Sequence, residues 1–212
     1  MQGFAKRKLR MKTINFNNQK ITPCKIVCVG RNYVEHIKEL NNEIPSEPVY
    51  FIKPNSSISE KIKYREGMHY EGEISFLIKN KKIAGVGFGF DLTLRDIQSK
   101  LKQKGLPWER CKAFRASAVF SDFVEINYIN DLKVEVVKNN EVVQKGGMEL
   151  MIYKPEFLVI DIDKIFGLDD GDIIMSGTPK GVGKVERGDE FIGRIYKNEK
   201  ILVEKKWIVM EN

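Results

Sequence analysis

The chain has 212 residues and a formal net charge of +7, with 42% apolar and 31% charged residues, a composition that supports a folded core and excludes a disordered chain. No apolar run approaches the roughly 18 residues of a membrane helix, and residues 1–11 lack the apolar segment of a secretory signal, so we expect no membrane contact. Lysine and arginine are scattered among acidic residues, which indicates a solvated surface that attracts anionic substrates and excludes a nucleic-acid binder.

The first part of the chain alternates short apolar runs with turns. Residues 12–22 are typical of a strand and a turn, and the β-branched run at residues 25–29 predicts a buried strand. Residues 33–40 predict a short helix, and residues 49–52 predict a strand that leads into a loop at residues 53–57.

Longer strands are predicted in the middle of the chain. Residues 70–78 and the glycine-rich residues 84–90 predict two strands, with a turn that begins at Asn80. Residues 93–105 predict a helix that ends at Gly105, because a glycine commonly follows the last helical turn.

Strands also dominate the C-terminal part, where they are predicted at residues 132–137, 141–144, 172–175, 190–196 and 201–209. The pair Asn139-Asn140 predicts a hairpin turn between the first two, and residues 154–166 predict a helix. The sequence therefore predicts a β-dominant α+β fold, a curled sheet or barrel with a few peripheral helices. We expect residues 1–24 to form a short N-terminal strand or appendage and residues 25–212 to form a single catalytic domain.

The cysteines indicate the redox setting. Cys24, Cys28 and Cys111 are odd in number and form no Cys-x-x-Cys pair, so neither a disulfide framework nor a zinc site is expected. A cytoplasmic location follows as an expectation. A basic cluster lies between Met1 and Met11, and either methionine can serve as the start of the chain.

Three acidic residues are candidate metal ligands. Glu71 and Glu73 are two apart on a predicted strand, so their side chains share a face, where their charges repel unless a cation lies between them. Asp91 follows the apolar run at residues 86–90 and adds a third carboxylate at the end of a buried strand. An all-oxygen site of this kind suits Mg²⁺, Mn²⁺ or Ca²⁺. For the Glu-x-Glu spacing alone, a solvent-facing acidic pair is the alternative.

His36 and Glu39 form a candidate acid–base pair. They are three residues apart on a predicted helix and therefore share a face. Glu39 would orient an imidazole that removes a proton from water or from a substrate carbon. A surface histidine beside a surface glutamate is the alternative, but the Gly-Arg-Asn-Tyr run at residues 30–33 favours a functional pair. The other histidine, His69, is expected to be structural or to act indirectly.

Five motifs occur in an order that carries a family resemblance. They are Val29-Gly30-Arg31-Asn32-Tyr33 with His36 and Glu39, Phe51-Ile52-Lys53-Pro54, His69-Tyr70-Glu71-Gly72-Glu73, Asp91-Leu92-Thr93-Leu94-Arg95-Asp96-Ile97-Gln98, and Gly177-Thr178-Pro179-Lys180-Gly181-Val182-Gly183. In these motifs the chain resembles the fumarylacetoacetate hydrolase family from about Lys25 onward. It is most similar to the short single-domain branch, which holds acylpyruvate hydrolases, fumarylpyruvate hydrolases and oxaloacetate tautomerases or decarboxylases.

The resemblance implies a mixed β-sandwich roll, usually assembled as a homodimer. It implies Mg²⁺ or Mn²⁺ held by two glutamates and an aspartate, which match Glu71, Glu73 and Asp91. The family's catalytic histidine and glutamate lie on a short helix and match His36 and Glu39.

Further positions match the family's catalytic lysine and its substrate-binding residues. The lysine is Lys112, and the substrate-binding set is Arg31, Arg95, Gln98 and Thr178. A solvated lysine, a helix-surface arginine and a simple Gly-Pro turn are the alternatives. Arg115 departs from many relatives, which carry a short polar group there, and either points outward or reaches an acidic group of the substrate.

These residues favour an enzyme that acts on a small 2-oxo acid, whose carboxylate and ketone oxygens chelate a cation that stabilises an enolate. The first hypothesis is a Mg²⁺- or Mn²⁺-dependent hydrolase that cleaves a C–C bond in acylpyruvate-type 2,4-dioxo acids, with water activated by His36 and Glu39. The alternatives are an oxaloacetate tautomerase or decarboxylase, a 2-hydroxy-dienedioate isomerase, and a non-catalytic binding protein that keeps the fold. The distal group of the substrate and the physiological metal stay open.

Overall fold

The computed structural model of the protein describes residues 11–39, 43 and 45–211. The strands in these ranges are β1 (Ile14–Phe16), β2 (Gln19–Ile21), β3 (Lys25–Gly30), β4 (Val49–Pro54), β5 (Ile58–Ser59), β6 (Met68–Tyr70), β7 (Gly72–Lys79), β8 (Lys82–Asp91), β9 (Thr93–Leu94), β10 (Ala118–Phe120), β11 (Val124–Glu125), β12 (Leu132–Lys138), β13 (Glu141–Gly147), β14 (Ile173–Met175), β15 (Gly183–Lys184), β16 (Glu190–Lys197) and β17 (Lys200–Ile208). The α-helices are α1 (Val34–Glu39), α2 (Arg95–Gln103), α3 (Glu109–Lys112) and α4 (Pro155–Phe166), and 3₁₀ helices span Asn55–Ser57 and Met148–Leu150. None of the described helices has the length and apolar character needed to cross a membrane.

The largest sheet runs through the middle of the molecule. Its strands lie in the order β4-β3-β14-β7-β8-β10-β5, and β11 also pairs with β8. The pairs β3–β14 and β10–β5 are parallel, and the other neighbours are antiparallel. One edge of the long strand β8 pairs with β7 and the other with both β10 and β11, so the sheet curls around β8.

The glycines of β8 make room for aromatic rings. A Cβ atom at Gly85 would lie 2.7 Å from the ring of Phe16, and one at Gly87 would lie 3.0 Å from the ring of Phe123. Contacts this short exclude a larger residue unless the rings move. The glycine-rich sequence of this strand therefore allows rings to pack directly against its backbone.

A second, antiparallel sheet of strands β13-β12-β16-β17 packs against the central sheet. The ring of Phe88 lies 4.7 Å from that of Phe90 and 5.7 Å from that of Trp207, and Phe90 lies 5.4 Å from Phe191. These aromatic side chains are buried and come from both sheets. Because large rings bury the most apolar surface per residue, they form the centre of a core that both sheets share.

The structure confirms the β-dominant α+β fold with a curled sheet and peripheral helices. The predicted hairpin turn at Asn139-Asn140 is present, with both residues in the left-handed conformation at φ 50° and 70°. The prediction missed short elements such as β5, β10 and α3. Strands of two or three residues that pair with distant segments carry no periodicity of their own, so the sequence contains no signal for them.

Three predicted boundaries were wrong near the acidic residues. The predicted strand at residues 70–78 is interrupted at Glu71, and the predicted helix at residues 93–105 begins at Arg95. Thr93 instead pairs with His69 in a small sheet of strands β15-β6-β9. The expected loop at residues 53–57 is the end of β4 followed by a 3₁₀ turn. Tertiary pairing overrides local propensity at each of these positions.

The described part of the N-terminal segment forms the hairpin of β1 and β2. The backbone N–H of Asn17 donates to the carbonyl of Phe123 at 3.2 Å, and the N–H of Phe123 donates to that of Asn15 at 2.8 Å. The hairpin therefore docks through backbone hydrogen bonds on the segment between β10 and β11, two strands of the central sheet. The basic cluster between Met1 and Met11 lies outside the described residues.

Replacing Phe88 by alanine tests the shared core. Phe88→Ala removes a fully buried ring that contacts both sheets, so we expect the free energy of unfolding to fall by about 3–5 kcal/mol in urea denaturation. Val142, which is 58% exposed, provides the control. Val142→Ala is expected to stay within about 0.5 kcal/mol of the unmodified protein. Equal losses in the two variants would contradict this assignment of the core.

Candidate metal and active site

Glu71, Glu73 and Asp91, here called the acidic triad, converge at the end of the central sheet. Strand β7 carries Glu73 opposite Gly89 of β8, and β8 ends at Asp91. Glu71 lies in the break before β7, where its carbonyl accepts a hydrogen bond from the N–H of Asp91 at 2.9 Å. One carboxylate oxygen from each acid lies within 4.8 Å of the others, and all three side chains are buried.

Lysine and arginine neutralise two members of the triad. The Lys112 ammonium donates to Glu71 Oε2 at 2.8 Å and to Asp91 Oδ2 at 2.5 Å. Arg95 pairs with the other oxygen of Glu71, and Lys53 Nζ lies 2.8 Å from Asp91 Oδ1. Buried charges of one sign are stable only when they are paired in this way.

Glu73 differs from Glu71 and Asp91 in its hydrogen-bond and ion-pair partners. It accepts a hydrogen bond from the N–H of Gly177 at 2.9 Å, and no ion pair reaches it within the described residues. Burial and the nearby charges of Asp91 and Glu71 raise the pKa of Glu73 well above its usual range. Burial alone would also raise the pKa of Glu71, but the Lys112 and Arg95 cations outweigh it and hold that pKa well below its usual range. Glu73 is therefore the acid whose negative charge lacks a partner.

A divalent cation fits this donor set. The triad offers three hard oxygen ligands in one buried place, which is the ligand type that Mg²⁺, Mn²⁺ and Ca²⁺ prefer. A cation would supply the charge that Glu73 lacks, and the remaining ligand positions would be open to water or substrate. The assignment of Glu71, Glu73 and Asp91 as ligands remains a prediction, which the convergence of their oxygens supports.

The predicted acid–base pair lies beside the triad on helix α1. His36 Nδ1 is 3.1 Å from Glu39 Oε2, and Glu39 Oε1 accepts a hydrogen bond from the N–H of Gly181 at 2.9 Å. Gly181 has φ +97°, and a Cβ atom there would lie 1.9 Å from the carbonyl oxygen of Val143, so only glycine fits. His36 is buried and lines the pocket above the triad, whereas Glu39 reaches the pocket through the imidazole.

Asn32 fixes the turn from which α1 begins. Its amide nitrogen donates to the carbonyls of Ser176 at 2.8 Å and Tyr153 at 3.0 Å, and its oxygen accepts from the N–H of Tyr153 at 2.7 Å. The side chain is buried, so these hydrogen bonds lie away from competing water. They hold the start of α1 against the loop that follows β14, which also carries the Gly177 donor to Glu73.

The four predicted substrate-binding residues, Arg31, Arg95, Gln98 and Thr178, all line the same pocket. Arg95 Nη1 donates to Gln98 Oε1 at 2.6 Å, as expected for residues three apart on helix α2. The Thr178 hydroxyl donates to the carbonyl of Gly72 at 2.9 Å and accepts from Gln144 at 2.8 Å. Thr178 therefore already uses its hydroxyl to tie the loop to β7, and its role towards a substrate remains a prediction.

Several residues that line the pocket or contact the acidic triad received no role from the sequence. Lys53 is fully buried, and its ammonium also donates to the carbonyls of Ser117 at 3.1 Å and Lys112. Its signal in the sequence is a lysine inside the apolar run of β4. Lys102, Phe51 and Trp108 line the pocket. Lys102 is spaced with Arg95 and Gln98 on one face of α2, whereas the positions of Phe51 and Trp108 depend on tertiary packing that no local pattern predicts.

Arg115 is exposed at the surface, which agrees with the outward alternative for this unusual residue. His69 lies in β6 beside the triad, and burial together with the nearby Arg95 cation lowers the pKa of its imidazole. Its Nδ1 atom is buried and has no hydrogen-bond partner within the described residues. His69 therefore lies beside the acidic triad but is not one of the three converging side chains.

Most of the chain matches the model of one protein family. The family model described as fumarylacetoacetate hydrolase C-terminal matches residues 25–203. The chain belongs to the fumarylacetoacetate hydrolase family. The match includes the acidic triad, helix α1 and the loop that holds Gly181, so every predicted site residue lies inside the family domain.

Individual relatives within the family are similar over most of their length. Oxaloacetate tautomerase YcgM of Escherichia coli K12 is 39% identical over 78% of this chain and 85% of its own. The mitochondrial oxaloacetate tautomerase of Bos taurus is 37% identical over 81% of this chain and 86% of its own. The solved structure of fumarylpyruvate hydrolase from Pseudomonas aeruginosa, in complex with Mn²⁺ and pyruvate, aligns with TM-score 0.86 and 25% identity over 100% of both chains.

Glu73→Gln tests the triad by its effect on metal binding and on the pH dependence of stability. The pKa of Glu73 in the fold lies above its ordinary value of 4.5, so the metal-free protein is expected to lose stability as the pH rises above that value. Glu73→Gln removes this loss, and its stability relative to the unmodified protein should therefore increase as the pH rises above 4.5. Urea denaturation with a chelator present measures the difference.

Added Mg²⁺ should make the unmodified protein more stable than Glu73→Gln. It is expected to stabilise the unmodified chain by binding the folded state and to leave Glu73→Gln nearly unchanged, because one ligand charge is gone. Glu141→Gln, at an exposed site on β13, serves as the matched control. Mg²⁺ stabilisation of equal size in Glu73→Gln would remove Glu73 from the ligand set.

Proposed function

We propose that the protein is a Mg²⁺- or Mn²⁺-dependent oxaloacetate tautomerase that interconverts the enol and keto forms of this 2-oxo acid. The observation that carries the proposal is the position of His36, held by Glu39 at 3.1 Å, in the same pocket as the acidic triad. The Escherichia coli and Bos taurus relatives, 39% and 37% identical, are oxaloacetate tautomerases, which supports oxaloacetate as the substrate.

The acidic triad would hold the cation, which supplies a Lewis acid for the carboxylate and ketone oxygens at the head of a 2-oxo acid. The Mn²⁺ and pyruvate in the similar fumarylpyruvate hydrolase support this use of the site. Lys112 brings its ammonium to the same carboxylates and is fully charged, because Asp91 and Glu71 outweigh the effect of burial and raise its pKa. It can therefore stabilise negative charge that develops on the C2 oxygen.

His36 is the group that moves the proton. With Nδ1–H donated to Glu39, Nε2 is free to accept the proton from C3 of the keto form. As the C3–H bond breaks, its electron pair forms the C2–C3 double bond and the carbonyl electron pair moves to the C2 oxygen. The imidazolium of His36 then returns the proton to the C2 oxygen, which completes the enol and restores neutral His36. The reverse direction uses the same groups. Glu39 keeps the imidazole in the tautomer that this transfer requires, and Gly181 holds Glu39 in place.

C–C hydrolysis of acylpyruvates, the first hypothesis from the sequence, is the second candidate. It is favoured by the similarity to fumarylpyruvate hydrolase at 25% identity. The same base would have to activate a water for attack on a distal carbonyl, whereas tautomerisation needs only a proton transfer. The higher identity to oxaloacetate tautomerases supports tautomerisation over cleavage.

A panel of two substrates with Mg²⁺ and with chelator separates these candidates. We expect accelerated loss of the oxaloacetate enol, followed by its ultraviolet absorbance, because this reaction needs only the proton transfer that His36 is placed to perform. Acetylpyruvate cleavage, followed by pyruvate release, should be far slower. Cleavage that is faster than enol loss would replace the tautomerase by the hydrolase, and failure to act on either compound would reject both.

His36→Ala tests the proton transfer. Removal of a general base typically lowers kcat by about 10²- to 10⁴-fold, and we expect enol conversion to fall by that factor while Mg²⁺ affinity stays nearly unchanged. Glu35→Gln, on the exposed face of the same helix, is the control and should retain the full rate. Full activity of His36→Ala would show that another group moves the proton.

A further inference from the structure

The two glutamates of the acidic triad are joined through Gly72, whose backbone polar groups bond outside the pairing of β7 with β8. The N–H of Gly72 belongs to the peptide bond with Glu71, and its carbonyl belongs to the peptide bond with Glu73. On the other side of β7, the pairing with β14 covers Ser75 to Leu77 and has stopped before this point. Because Gly72 is buried, both groups need partners from another part of the molecule.

A buried glutamine of the second sheet supplies these partners. Gln144 Oε1, on β13, accepts a hydrogen bond from the N–H of Gly72 at 2.9 Å, and Nε2 donates to the Thr178 hydroxyl at 2.8 Å. That hydroxyl donates to the carbonyl of Gly72 at 2.9 Å, which closes a ring of three hydrogen bonds. Gln144 is only 1% exposed, so water does not compete with the ring. The ring therefore fixes both peptide planes from which the side chains of Glu71 and Glu73 project.

Gln144 also holds the loop of residues 176–182 that follows β14. Its Nε2 donates a second hydrogen bond to the carbonyl of Pro179 at 2.8 Å. The N–H of Gly177, two residues earlier, donates to the acidic triad, and the N–H of Gly181, two residues later, donates to the acid–base pair. Gln144 thus anchors the loop midway between the donors that serve the two parts of the site.

The partners of Gln144 match the chemistry of a side-chain amide. The N–H of Gly72 can only donate and the carbonyl of Pro179 can only accept, so the side chain between them must offer one acceptor and one donor. These two backbone groups also fix the direction of the amide, with Oε1 towards Gly72. Methionine would match the length of Gln144 but would provide neither group.

We propose that Gln144 is a positioning residue that sets the affinity of the acidic triad for its cation and the rate of the tautomerisation, without lining the pocket itself. The inference rests on the proposed function, because the acidic triad is then the cation site. Gln144 acts through the backbone of Gly72 and through the loop that follows β14. Side chains that orient metal ligands from outside the ligand set commonly contribute about 10- to 100-fold to metal affinity or activity.

Mn²⁺ binding to the purified variant Gln144→Met tests the positioning role without turnover. The substitution leaves the N–H of Gly72 and the carbonyl of Pro179 without a partner, so we expect the dissociation constant of Mn²⁺ to rise about 10- to 100-fold. The electron paramagnetic resonance signal of free Mn²⁺ measures this constant, and the signal of the bound ion should change with the ligand geometry. At saturating Mn²⁺, kcat for loss of the oxaloacetate enol should also fall about tenfold or more.

Ser121→Ala is the matched control, because it too leaves a buried backbone N–H without its acceptor. The Ser121 hydroxyl accepts from the N–H of Phe88 at 2.8 Å and donates to the carbonyl of Asp122. Both variants are expected to lower the midpoint of urea denaturation, but Ser121→Ala should change the Mn²⁺ dissociation constant less than about twofold. Equal weakening of Mn²⁺ binding in the two variants would assign the effect to lost stability and overturn the inference, as would unchanged Mn²⁺ affinity in Gln144→Met.

Variants of Thr178 test the same ring from its other side and remain informative if Gln144→Met does not fold. Thr178→Val removes the hydroxyl and should weaken Mn²⁺ binding, whereas Thr178→Ser keeps the hydroxyl and should bind Mn²⁺ as the unmodified protein does. Combined with Gln144→Met, Thr178→Val should add little, because each substitution alone opens the ring. Fully additive losses, or unchanged Mn²⁺ affinity in Thr178→Val, would contradict the ring.

The same measurements separate this inference from the proposed function. Mn²⁺ binding that weakens in Gln144→Met but not in Ser121→Ala supports the positioning role even if the protein does not convert the oxaloacetate enol. Enol conversion with unchanged Mn²⁺ affinity and kcat in Gln144→Met supports the tautomerase and overturns the positioning role.

Discussion

The structure depends on three carboxylates that are buried within 4.8 Å of one another. Like charges at this separation in a low-dielectric interior repel strongly, so the fold must supply positive charge or keep one acid protonated. Lys112, Arg95 and Lys53 compensate Glu71 and Asp91 directly. Glu73 is left with a backbone N–H as its donor, and a bound cation would supply the positive charge that Glu73 lacks.

The strands around the triad keep it rigid because the two sheets meet there without spare volume. A Cβ atom at Gly72 would lie 2.3 Å from Val136 of the second sheet, and one at Gly89 would lie 2.4 Å from the hydroxyl of Ser75. The backbone that carries Glu71 and Glu73 is thus clamped between β8 and the second sheet. Ligand geometry held by packed strands varies less than geometry held by loops, which suits a site where small displacements change reactivity.

Much of this site could be predicted because its residues carry local signals. Glu71 and Glu73 stand two apart before an apolar run, Asp91 ends another, and His36 and Glu39 share a helix face, so local spacing marks them as candidates. Their union in one site was predicted from the resemblance of five ordered motifs to a known family. Lys53 could not be assigned in this way, because what defines it is its contacts with Asp91, Ser117 and Lys112 on distant elements. The curled sheet was predictable from short alternating strands, but the two-residue strands β5, β9 and β15 exist only through pairing with distant segments and left no pattern to detect.

A binding site shared by the heads of all 2-oxo acids would explain how one family can contain both tautomerases and C–C hydrolases. The head of any 2-oxo acid needs the same oxygen chelation and the same stabilisation of charge at the C2 oxygen, which the triad and Lys112 are placed to provide. What varies is the group beyond C3 and whether the base acts on carbon or on water. Tautomerisation needs the imidazole next to C3, whereas hydrolysis needs room for a water on the far side.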